Sequence, residues 1–425
     1  MPDLLVFKFG GASVKDANGV RNLATILQKY KDENLVVVVS AMGKTTNALE
    51  KVCNAYIHGN PDSFSLLEEI KNAHLKIVQE LFPSGNQTLE QELDSIFVEI
   101  YWAIEEEQIK SYDFEYDQIV SQGEMLSTRI VAAWLKNEGF TVQFKDARDL
   151  IQTDNRYREA NVDWELSNQR INESIVFNGN HEPIYITQGF IGSTSENFTT
   201  TLGREGSDYS ASILAHALNA KEVIVWKDVP GVLNGDPREL ESTSLISELS
   251  YFDAIELTYY GASVIHPKTI KPLQNKHIPL RVKSFIEPDK PGTLICDDSQ
   301  QTRHSSFIFK KNQILLSLST RDFSFIVEEN ILNLFELFNK HLIKVNLMQQ
   351  AALTFSICIS ADPERFEALK IDLNARYKVK YNINCELITI RHYQEPLPEW
   401  IFKRGEVLLE QRSRHTLQVV IKSNI

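Results

Sequence analysis

The first fifty residues repeat one pattern twice, and no other feature constrains the fold as strongly. Residues 4–9 form a short apolar run that stops at Gly10-Gly11, and apolar residues at helical spacing follow it. Residues 35–39 are an unbroken run of leucine and valine, as expected for a strand buried on both faces of a parallel sheet. A second glycine loop, at residues 40–43, then precedes another helix. The repetition of strand, glycine turn and helix predicts an α/β domain with right-handed crossovers.

The rest of the chain extends this pattern and then changes it. Residues 63–110 carry apolar side chains at helical spacing on both sides of a Pro-Ser-Gly break, which predicts a helical hairpin inserted into the sheet domain. Residues 286–306 are polar and hold two prolines and a glycine, which marks a domain boundary. Beyond it, strand and helix patterns in the order βαββαβ predict a ferredoxin-like sandwich. We therefore expect an αβα three-layer domain over residues 1–295 and an α+β region over residues 305–425.

Composition excludes several classes of protein. The formal net charge of −13 over 425 residues argues against a protein that mainly binds nucleic acid, because neutralising phosphates requires clustered positive charge. The four cysteines include no CxxC pair, which favours reduced thiols in the cytoplasm over a disulfide framework or a zinc cluster. The N-terminal residues do not follow a secretory pattern, and no apolar run has the length of a membrane span. We expect a cytoplasmic protein that binds neither nucleic acid nor a membrane.

Three short segments place glycine beside charged or hydroxyl groups at predicted strand ends, where ligands bind in open α/β sheets. In the first, Lys8 stands two residues before Gly10-Gly11, which suits a phosphate that approaches the backbone closely, although a solvent-exposed lysine beside a plain turn fits equally. In the second, residues 40–47, Ser40 and Thr46 lie beside a helix start, and this segment taken alone favours helix capping over ligand binding. In the third, Glu124 lies in the first turn of a helix, where it would also complement the helix dipole.

A fourth segment carries the strongest functional signal. Residues 189–192 and 199–208 combine glycines and threonines with Arg204, Ser207 and Asp208 just before an apolar helix. Backbone N–H groups in such a loop bind anions, an arginine binds a carboxylate in bidentate fashion, and an aspartate orients a cation. So many glycines and threonines exceed what a chain reversal requires, which favours a binding site. Residues 226–238 follow the next buried strand and would face the same side of the sheet.

Together these motifs resemble those of one enzyme family, the aspartokinases of the amino-acid kinase superfamily. KFGGAS, SAMGKTTN, SQGE, GFIGS, TTTLGREGSDYSA, WKDVPGVLNGDPR and YGASVIHPKTI stand in the order found in that family. The resemblance covers residues 4–295 almost continuously. A weaker resemblance covers residues 305–425, which look like the ACT regulatory region of the same enzymes, with one complete ACT unit and a truncated second one.

The resemblance implies transfer of the ATP γ-phosphoryl group to the side-chain carboxylate of L-aspartate. The product is 4-phospho-L-aspartate, which opens the lysine, methionine and threonine pathway, and ATP and Mg²⁺ are the implied cofactors. It further implies a homo-oligomer, at least a dimer, that assembles through the ACT region. The implied roles are catalysis for Lys8 and Asp208, aspartate binding for Ser40, Thr46, Glu124, Arg204 and Ser207, and nucleotide binding for Lys8, Gly10, Gly11, Lys227, Asp228, Leu233, Arg238 and Ser263.

Three positions depart from the family's pattern. Ser263 stands where many aspartokinases carry a lysine that contacts ATP, Lys227 replaces a threonine, and Leu233 replaces an aromatic residue near the adenine. These departures concern nucleotide binding more than catalysis. Two other hypotheses stay open at this point, a catalytically weak subunit that senses amino acids and a kinase for another small acid such as glutamate.

Overall fold

The structure is a computed structural model that describes residues 3–106, 110–179, 182–262, 265–297, 305–322 and 324–423. It divides into two compact units. The first comprises Met1–Val232, Leu245–Ile255 and Val264–Gln300, and the second comprises Leu233–Ser244, Glu256–Ser263 and Gln301–Ile425. The second unit thus includes two short segments that precede the predicted boundary in the sequence.

The first unit is built on an eight-stranded sheet with the order β3-β4-β2-β1-β7-β9-β10-β8. All neighbours run parallel except the antiparallel pair β9 and β10. A separate antiparallel hairpin pairs β5 with β6. The strands are β1 (Leu4–Phe9), β2 (Asn34–Val39), β3 (Val142–Lys145), β4 (Ile184–Gln188), β5 (Ile191–Ser193), β6 (Thr199–Thr201), β7 (Glu222–Lys227), β8 (Glu248–Ser250), β9 (Leu280–Ser284) and β10 (Thr293–Cys296).

Helices accompany this sheet. Two of them, α3 and α4, occupy the segment in which a helical hairpin was predicted. The helices of the first unit are α1 (Ala17–Gln28), α2 (Thr45–Ile57), α3 (Asp62–Leu81), α4 (Gln87–Glu105), α5 (Tyr112–Val120), α6 (Gln122–Asn137), α7 (Ala147–Leu150), α8 (Trp164–Ser174), α9 (Gly206–Leu218) and α11 (Pro267–Gln274), while α10 (Tyr251–Tyr260) has residues in both units.

The central strands of the sheet are buried on both faces, which accounts for the lack of polar residues in a sequence such as that of β2. Residues 35–39 of β2 are 0–1% exposed, because β2 is paired on both edges and covered on both faces. An aromatic cluster fills the space beside β1, where the rings of Phe9 and Trp226 stack with centroids 6.0 Å apart. At about 25 cal/mol per Å² of buried apolar surface, this core is the main stabilising term of the unit.

The second unit follows the order βαββαβ and contains a six-stranded antiparallel sheet, β12-β13-β11-β14-β16-β15. Its core packs α12 and α13 on one face of the sheet, through buried residues such as Leu334, Phe338 and Leu369. The elements are β11 (Ser306–Thr320), α12 (Glu328–Lys340), β12 (Val345–Gln350), β13 (Thr354–Ser360), α13 (Pro363–Arg376), β14 (Tyr377–Arg391), α14 (Trp400–Lys403), β15 (Gly405–Arg412) and β16 (Thr416–Ser423). The predicted fold class, a mostly parallel α/β domain followed by a ferredoxin-like α+β domain, is confirmed.

Two strands of this sheet are longer than their apolar patterns predicted. β11 and β14 each have 15 residues, whereas the apolar pattern covers only residues 314–319 and 387–390. The register of the pair shifts between Lys310 and Gln313, where Asn312 is left-handed with φ 55°. A bulge of this kind interrupts the alternation of side chains between the two faces of the sheet, so the sequence of one long strand resembles that of two short ones. Within the described residues, the helices are too short or too polar to cross a membrane.

Candidate active site

A cavity of about 850 Å³ opens at the carboxyl ends of β1, β2, β4 and β7 in the first unit. β1 lies between β2 and β7, so successive crossovers leave it in opposite directions at this point of the sheet. Crevices of this kind, outside the carboxyl ends of parallel strands, are where open α/β sheets bind ligands. Nine of the predicted site residues line the cavity, and they include the whole predicted aspartate-binding set: Lys8, Gly11, Ser40, Thr46, Glu124, Arg204, Ser207, Asp208 and Lys227.

Two lysines share one buried aspartate in this cavity. The ammonium group of Lys8 lies 2.6 Å from Oδ1 of Asp208, and that of Lys227 lies 3.6 Å from Oδ2. Asp208 is 2% exposed and Lys8 is 9% exposed. Burial alone would raise the pKa of Asp208, but the charges of Lys8 and Lys227 outweigh it and hold that pKa below its usual value. The carboxylate therefore stays ionised and fixes two cations beside the cavity.

The glycine turn after β1 is required by close packing against the loop after β2. A Cβ atom on Gly11 would lie 2.7 Å from the carbonyl oxygen of Ala41 and 2.9 Å from that of Gly43. The N–H group of Gly43 donates a 2.9 Å hydrogen bond to the carbonyl oxygen of Gly11, and Gly43 is left-handed with φ 56°. Any side chain at Gly11 would push these two loops apart, so this position accepts only glycine.

Glu124 is the most unusual carboxylate of the cavity. It is 2% exposed, and its Oε1 accepts a 3.2 Å hydrogen bond from the N–H group of Ala41. Its Oε2 is buried and has no hydrogen-bond partner among the described residues. Burial raises the pKa of Glu124 to about 8, although the charge of Lys8 and the hydrogen bond from Ala41 act in the opposite direction. A buried carboxylate oxygen without a partner is costly, and a bound cation would relieve that cost.

The loop before α9 presents Arg204 and Ser207 to the same cavity. Gly203 and Glu205 are both left-handed, with φ 79° and 54°, and α9 begins at the next residue, Gly206. Apolar spacing predicted this helix from residue 210, so the structure adds a polar first turn that contains Ser207 and Asp208. The side chain of Glu205 accepts a 3.0 Å hydrogen bond from the N–H group of His266, which holds the strained turn in place.

Those of the remaining predicted nucleotide residues that the structure describes do not line this cavity. Gly10 is next to the ammonium group of Lys8, which a Cβ atom at that position would approach to 3.4 Å. Asp228 follows β7, is exposed and does not line the cavity. Leu233 and Arg238 belong to the second unit, where Arg238 pairs with Asp236 at 2.6 Å. Ser263 lies outside the described residues.

Comparison with known proteins identifies the family of this chain. A model described as the amino acid kinase family matches residues 3–284. The chain belongs to the amino acid kinase family. Lysine-sensitive aspartokinase 3 of Escherichia coli (strain K12) is 29% identical over 412 residues, which cover 92% of this chain and 87% of that protein. Aspartokinase 1, chloroplastic, of Arabidopsis thaliana is 34% identical over 373 residues, which cover 85% of this chain and 63% of that protein.

A solved structure of the same subfamily matches both units. The structure of E. coli aspartokinase III in complex with aspartate and ADP is 26% identical, with a TM-score of 0.79, and the match covers 99% of this chain and 96% of that one. The resemblance to aspartokinases that the motifs indicated is thereby confirmed.

The motifs missed a buried carboxylate, that of Asp117, which binds two residues of the cavity wall in this amino acid kinase. Asp117 in α5 is fully buried and accepts hydrogen bonds of 2.8 Å and 2.7 Å from the N–H group and hydroxyl of Thr201, and one of 2.9 Å from the N–H group of Arg158. Burial raises the pKa of Asp117 to about 6, although these hydrogen bonds lower it. The only signal in the sequence is an acidic residue on the apolar face of a helix.

Arg158 is a second cavity residue that motif reading missed. Its backbone is left-handed with φ 67°, and its guanidinium group stacks 4.5 Å from the ring centroid of Tyr116. The left-handed conformation is uncommon for arginine, and the hydrogen bond from its N–H group to Asp117 stabilises it here.

Proposed function

We propose that this chain is an aspartate kinase, which transfers the γ-phosphoryl group of ATP to the side-chain carboxylate of L-aspartate. The observation that carries the proposal is the buried, unpartnered Oε2 of Glu124 in the same cavity as the cluster of Lys8, Asp208 and Lys227. One end of this cavity suits the ammonium group of an amino acid, and the cluster suits a transferring phosphoryl group. Membership of the amino acid kinase family and the similarity to aspartokinases support the assignment.

Aspartate binding follows from charge complementarity. Glu124 would pair with the α-ammonium group of the substrate, and Arg204, assisted by the hydroxyl of Ser207, would bind its α-carboxylate. Ser40 and Thr46 would donate hydrogen bonds along the rest of the pocket. The side-chain carboxylate of the substrate would then face the ammonium group of Lys8.

The chemistry requires no nucleophilic side chain from the protein. An oxygen of the substrate carboxylate attacks the γ-phosphorus, the bond from that phosphorus to the bridging oxygen of ADP breaks, and ADP leaves with the electron pair. Lys8 would neutralise the negative charge shared by the attacking and transferring groups, and Asp208 would hold Lys8 in place. The N–H groups of Gly10 and Gly11 would donate to the phosphates.

The resemblance to aspartokinases assigns nucleotide binding to Lys227, the last residue of β7, and to four residues later in the sequence: Asp228, Leu233, Arg238 and Ser263. Mg²⁺ in kinases is bound largely by nucleotide phosphates and water, with one or two carboxylates. The described residues contain no group of three or more His, Cys, Asp or Glu side chains that would hold a metal ion by themselves. Asp208 fits the single-carboxylate arrangement, and Mg²⁺ would supply further neutralisation of phosphate charge when bound.

The proposed function is tested by incubating the purified chain with ATP, Mg²⁺ and either L-aspartate, L-glutamate or N-acetylglutamate, and by trapping acyl phosphate with hydroxylamine. We expect a hydroxamate with aspartate only. Turnover with glutamate instead would favour a kinase for another small acid. Absence of any product would favour a catalytically weak sensing subunit, for which a complete set of charged groups around the cavity has no evident use.

Lys227 provides a specific test of the nucleotide assignment. We expect Lys227→Thr to lower turnover at least tenfold, because a charge-assisted hydrogen bond to phosphate contributes about 1.5–3 kcal/mol. If Lys227 compensates for the serine at position 263, the second change Ser263→Lys should restore most of that turnover. Steady-state kinetics on both variants measure the effect.

Lys283→Thr is the matched control for this swap. Lys283 lies in the adjacent strand β9, over the ring of Trp226, and does not line the cavity. This variant should keep wild-type kinetics. Unchanged turnover in a folded Lys227→Thr protein would contradict a role for Lys227 at the phosphates.

We also propose that the chain forms at least a homodimer in the cytoplasm, through its ACT region. Several large apolar side chains of the second unit are strongly exposed, with Phe325, Leu332 and Ile371 at 68%, 64% and 71%. Surfaces of this kind usually mark interfaces. Light scattering at micromolar concentration should give at least twice the mass of one chain, and a monomer would contradict the proposal.

A further inference from the structure

Residues 154–161 form a closed loop in the first unit. The N–H group of Asp154 donates a 3.0 Å hydrogen bond to the carbonyl oxygen of Asn161. The side chain of Asp154 accepts three more, from the N–H group of Arg156 at 3.2 Å and from the N–H group and side-chain amide of Asn161 at 2.9 Å and 2.7 Å. The tip of the loop, residues 156–159, lines the cavity of the candidate active site. Its closed base makes the tip a defined part of the cavity wall.

This loop packs directly beside the turn that carries Arg204. The N–H group of Ala160 donates a 3.0 Å hydrogen bond to the carbonyl oxygen of Thr201 in β6. A Cβ atom on Gly203 would lie 3.3 Å from the carbonyl oxygen of Arg158. Gly203 immediately precedes Arg204, and both arginines line the cavity. Two arginines therefore reach one cavity from adjacent backbone segments of the same wall.

A buried carboxylate fixes the backbone of Arg158. The left-handed conformation of Arg158, with φ 67°, is unfavourable for a residue with a side chain. The 2.9 Å hydrogen bond from its N–H group to Asp117 stabilises this conformation, and Asp117 is 0% exposed. The same carboxylate binds Thr201 of the neighbouring strand. Strained residues that the surrounding structure holds in this way are concentrated at functional sites.

The guanidinium group of Arg158 is oriented by aromatic rings but is hardly used in hydrogen bonds. Its Cζ atom lies 4.5 Å from the ring centroid of Tyr116 and 5.4 Å from that of Tyr112. Among the described residues its one hydrogen bond runs from Nη1 to Oδ1 of Asp113, at 3.4 Å. The Asp113 side chain is 57% exposed, and such pairs contribute little. An arginine has five N–H donors, so most of these remain for a ligand.

We propose that Arg158 binds the α-carboxylate of the amino-acid substrate together with Arg204, and thereby determines selectivity for acids that carry this group. The inference rests on the proposed function, which assigns Arg204 to the same carboxylate. A planar guanidinium group matches a carboxylate in bidentate geometry, and the stack on Tyr116 orients that plane before the ligand arrives. The side-chain carboxylate of the substrate remains with Lys8.

Arg158→Gly is the decisive variant. Glycine adopts the left-handed backbone without strain, so the change removes the guanidinium group and spares the loop. We expect the KM for L-aspartate, and its dissociation constant from an NMR titration, to rise roughly five- to tenfold, less than for a fully buried pair because Arg158 is partly exposed. The KM for ATP should not change. Arg158→Lys keeps the charge without the planar geometry and should recover part of the affinity.

A substrate analogue identifies the group that Arg158 binds. L-Aspartate α-amide carries a neutral carboxamide in place of the α-carboxylate and keeps the ammonium group and the side-chain carboxylate. The wild-type chain should bind aspartate more tightly than the amide, and Arg158→Gly should reduce this preference because only aspartate loses affinity. An equal loss of affinity for both ligands, or a loss confined to ATP, would overturn the inference.

His277→Gly is the matched control. His277 is also left-handed, with φ 56°, its exposed side chain pairs with Asp297, and it does not line the cavity. This variant makes the same backbone change and should bind aspartate and its α-amide like the wild type. Thermal unfolding checks that both glycine variants are folded. If Arg158→Gly is unfolded, the comparison of the two ligands with Arg158→Lys decides the inference by the same criterion.

The design separates this inference from the proposed function, because binding of aspartate does not require turnover. A wild-type chain that binds aspartate but forms no acyl phosphate would refute the proposed function, while the comparison of aspartate with its α-amide still decides the inference. A wild-type chain that phosphorylates aspartate, with an Arg158→Gly variant of unchanged aspartate affinity, would refute the inference alone. A wild-type chain that binds no aspartate would refute both.

Discussion

Replacing Lys8 with alanine should lower turnover by about 10²–10³-fold and leave the fold intact. The ammonium group of Lys8 faces the cavity from the end of β1 and is paired with Asp208. Loss of one preorganised group that stabilises transition-state charge typically costs this much in rate. The fold should survive because Asp208 keeps Lys227 as a second cationic neighbour. The measurement is kcat in the hydroxylamine assay, together with circular dichroism and thermal unfolding.

The matched control for this prediction is Lys29→Ala. Lys29 pairs with Asp289 at the surface, at 2.5 Å, and does not line the cavity. Surface pairs contribute only about 0–1 kcal/mol, so this variant should retain both stability and turnover. Near-normal turnover in a folded Lys8→Ala protein would remove Lys8 from the mechanism.

Glu124→Gln should raise the KM for aspartate roughly ten- to a hundredfold and leave the KM for ATP unchanged. The lost interaction is a buried, charge-assisted hydrogen bond to the α-ammonium group, which contributes about 1.5–3 kcal/mol. Arg204→Ala should act on the same substrate with a smaller effect, because Arg204 is exposed and its charge is screened by solvent. Separate KM values for aspartate and ATP measure both effects.

The pKa of Glu124 adds a test by pH. Burial raises this pKa to about 8, so below that pH the carboxyl group of the free enzyme carries a proton. Binding a charged ammonium group in the pocket then releases that proton, which costs free energy that decreases as pH rises. The KM for aspartate should therefore fall between about pH 6 and about pH 8, by up to tenfold per pH unit, and Glu124→Gln should lose this dependence.

Glu92→Gln is a suitable control for both experiments. Glu92 is exposed and pairs with Arg129 at 3.7 Å, away from the cavity. If Glu124→Gln raised the KM for ATP and left the KM for aspartate unchanged, Glu124 would have to be assigned to the nucleotide pocket and not to the aspartate pocket.

The sequence by itself determined the architecture of the first unit and most of its site. Apolar runs and glycine turns act within a few residues, because backbone conformation and side-chain periodicity are local properties. Once β1, β2 and β7 are predicted to be parallel, their carboxyl ends must meet at one edge of the sheet. Lys8, Ser40 and Lys227 follow directly from this, and all three line the same cavity.

Apolar periodicity did not predict the bounds of elements that contain polar turns or a bulge. The first turn of α9, with Ser207 and Asp208, has no apolar stripe. The left-handed conformation of the residues before it is seen only in the three-dimensional structure. The bulge in β11 similarly hid the full length of two strands. In both places long-range contacts stabilise a conformation that local preference does not specify.

Only the tertiary structure decided which distant charged residues meet. Asp117 and Thr201 are 84 residues apart in the sequence, and Glu239 and Arg404 are 165 apart. A single sequence contains many acidic and basic residues, and nothing in their spacing selects these pairs. Their contacts depend on how sheets and loops pack, and burial then makes each pair strong enough to hold Arg158 at the cavity and Glu239 against the antiparallel sheet.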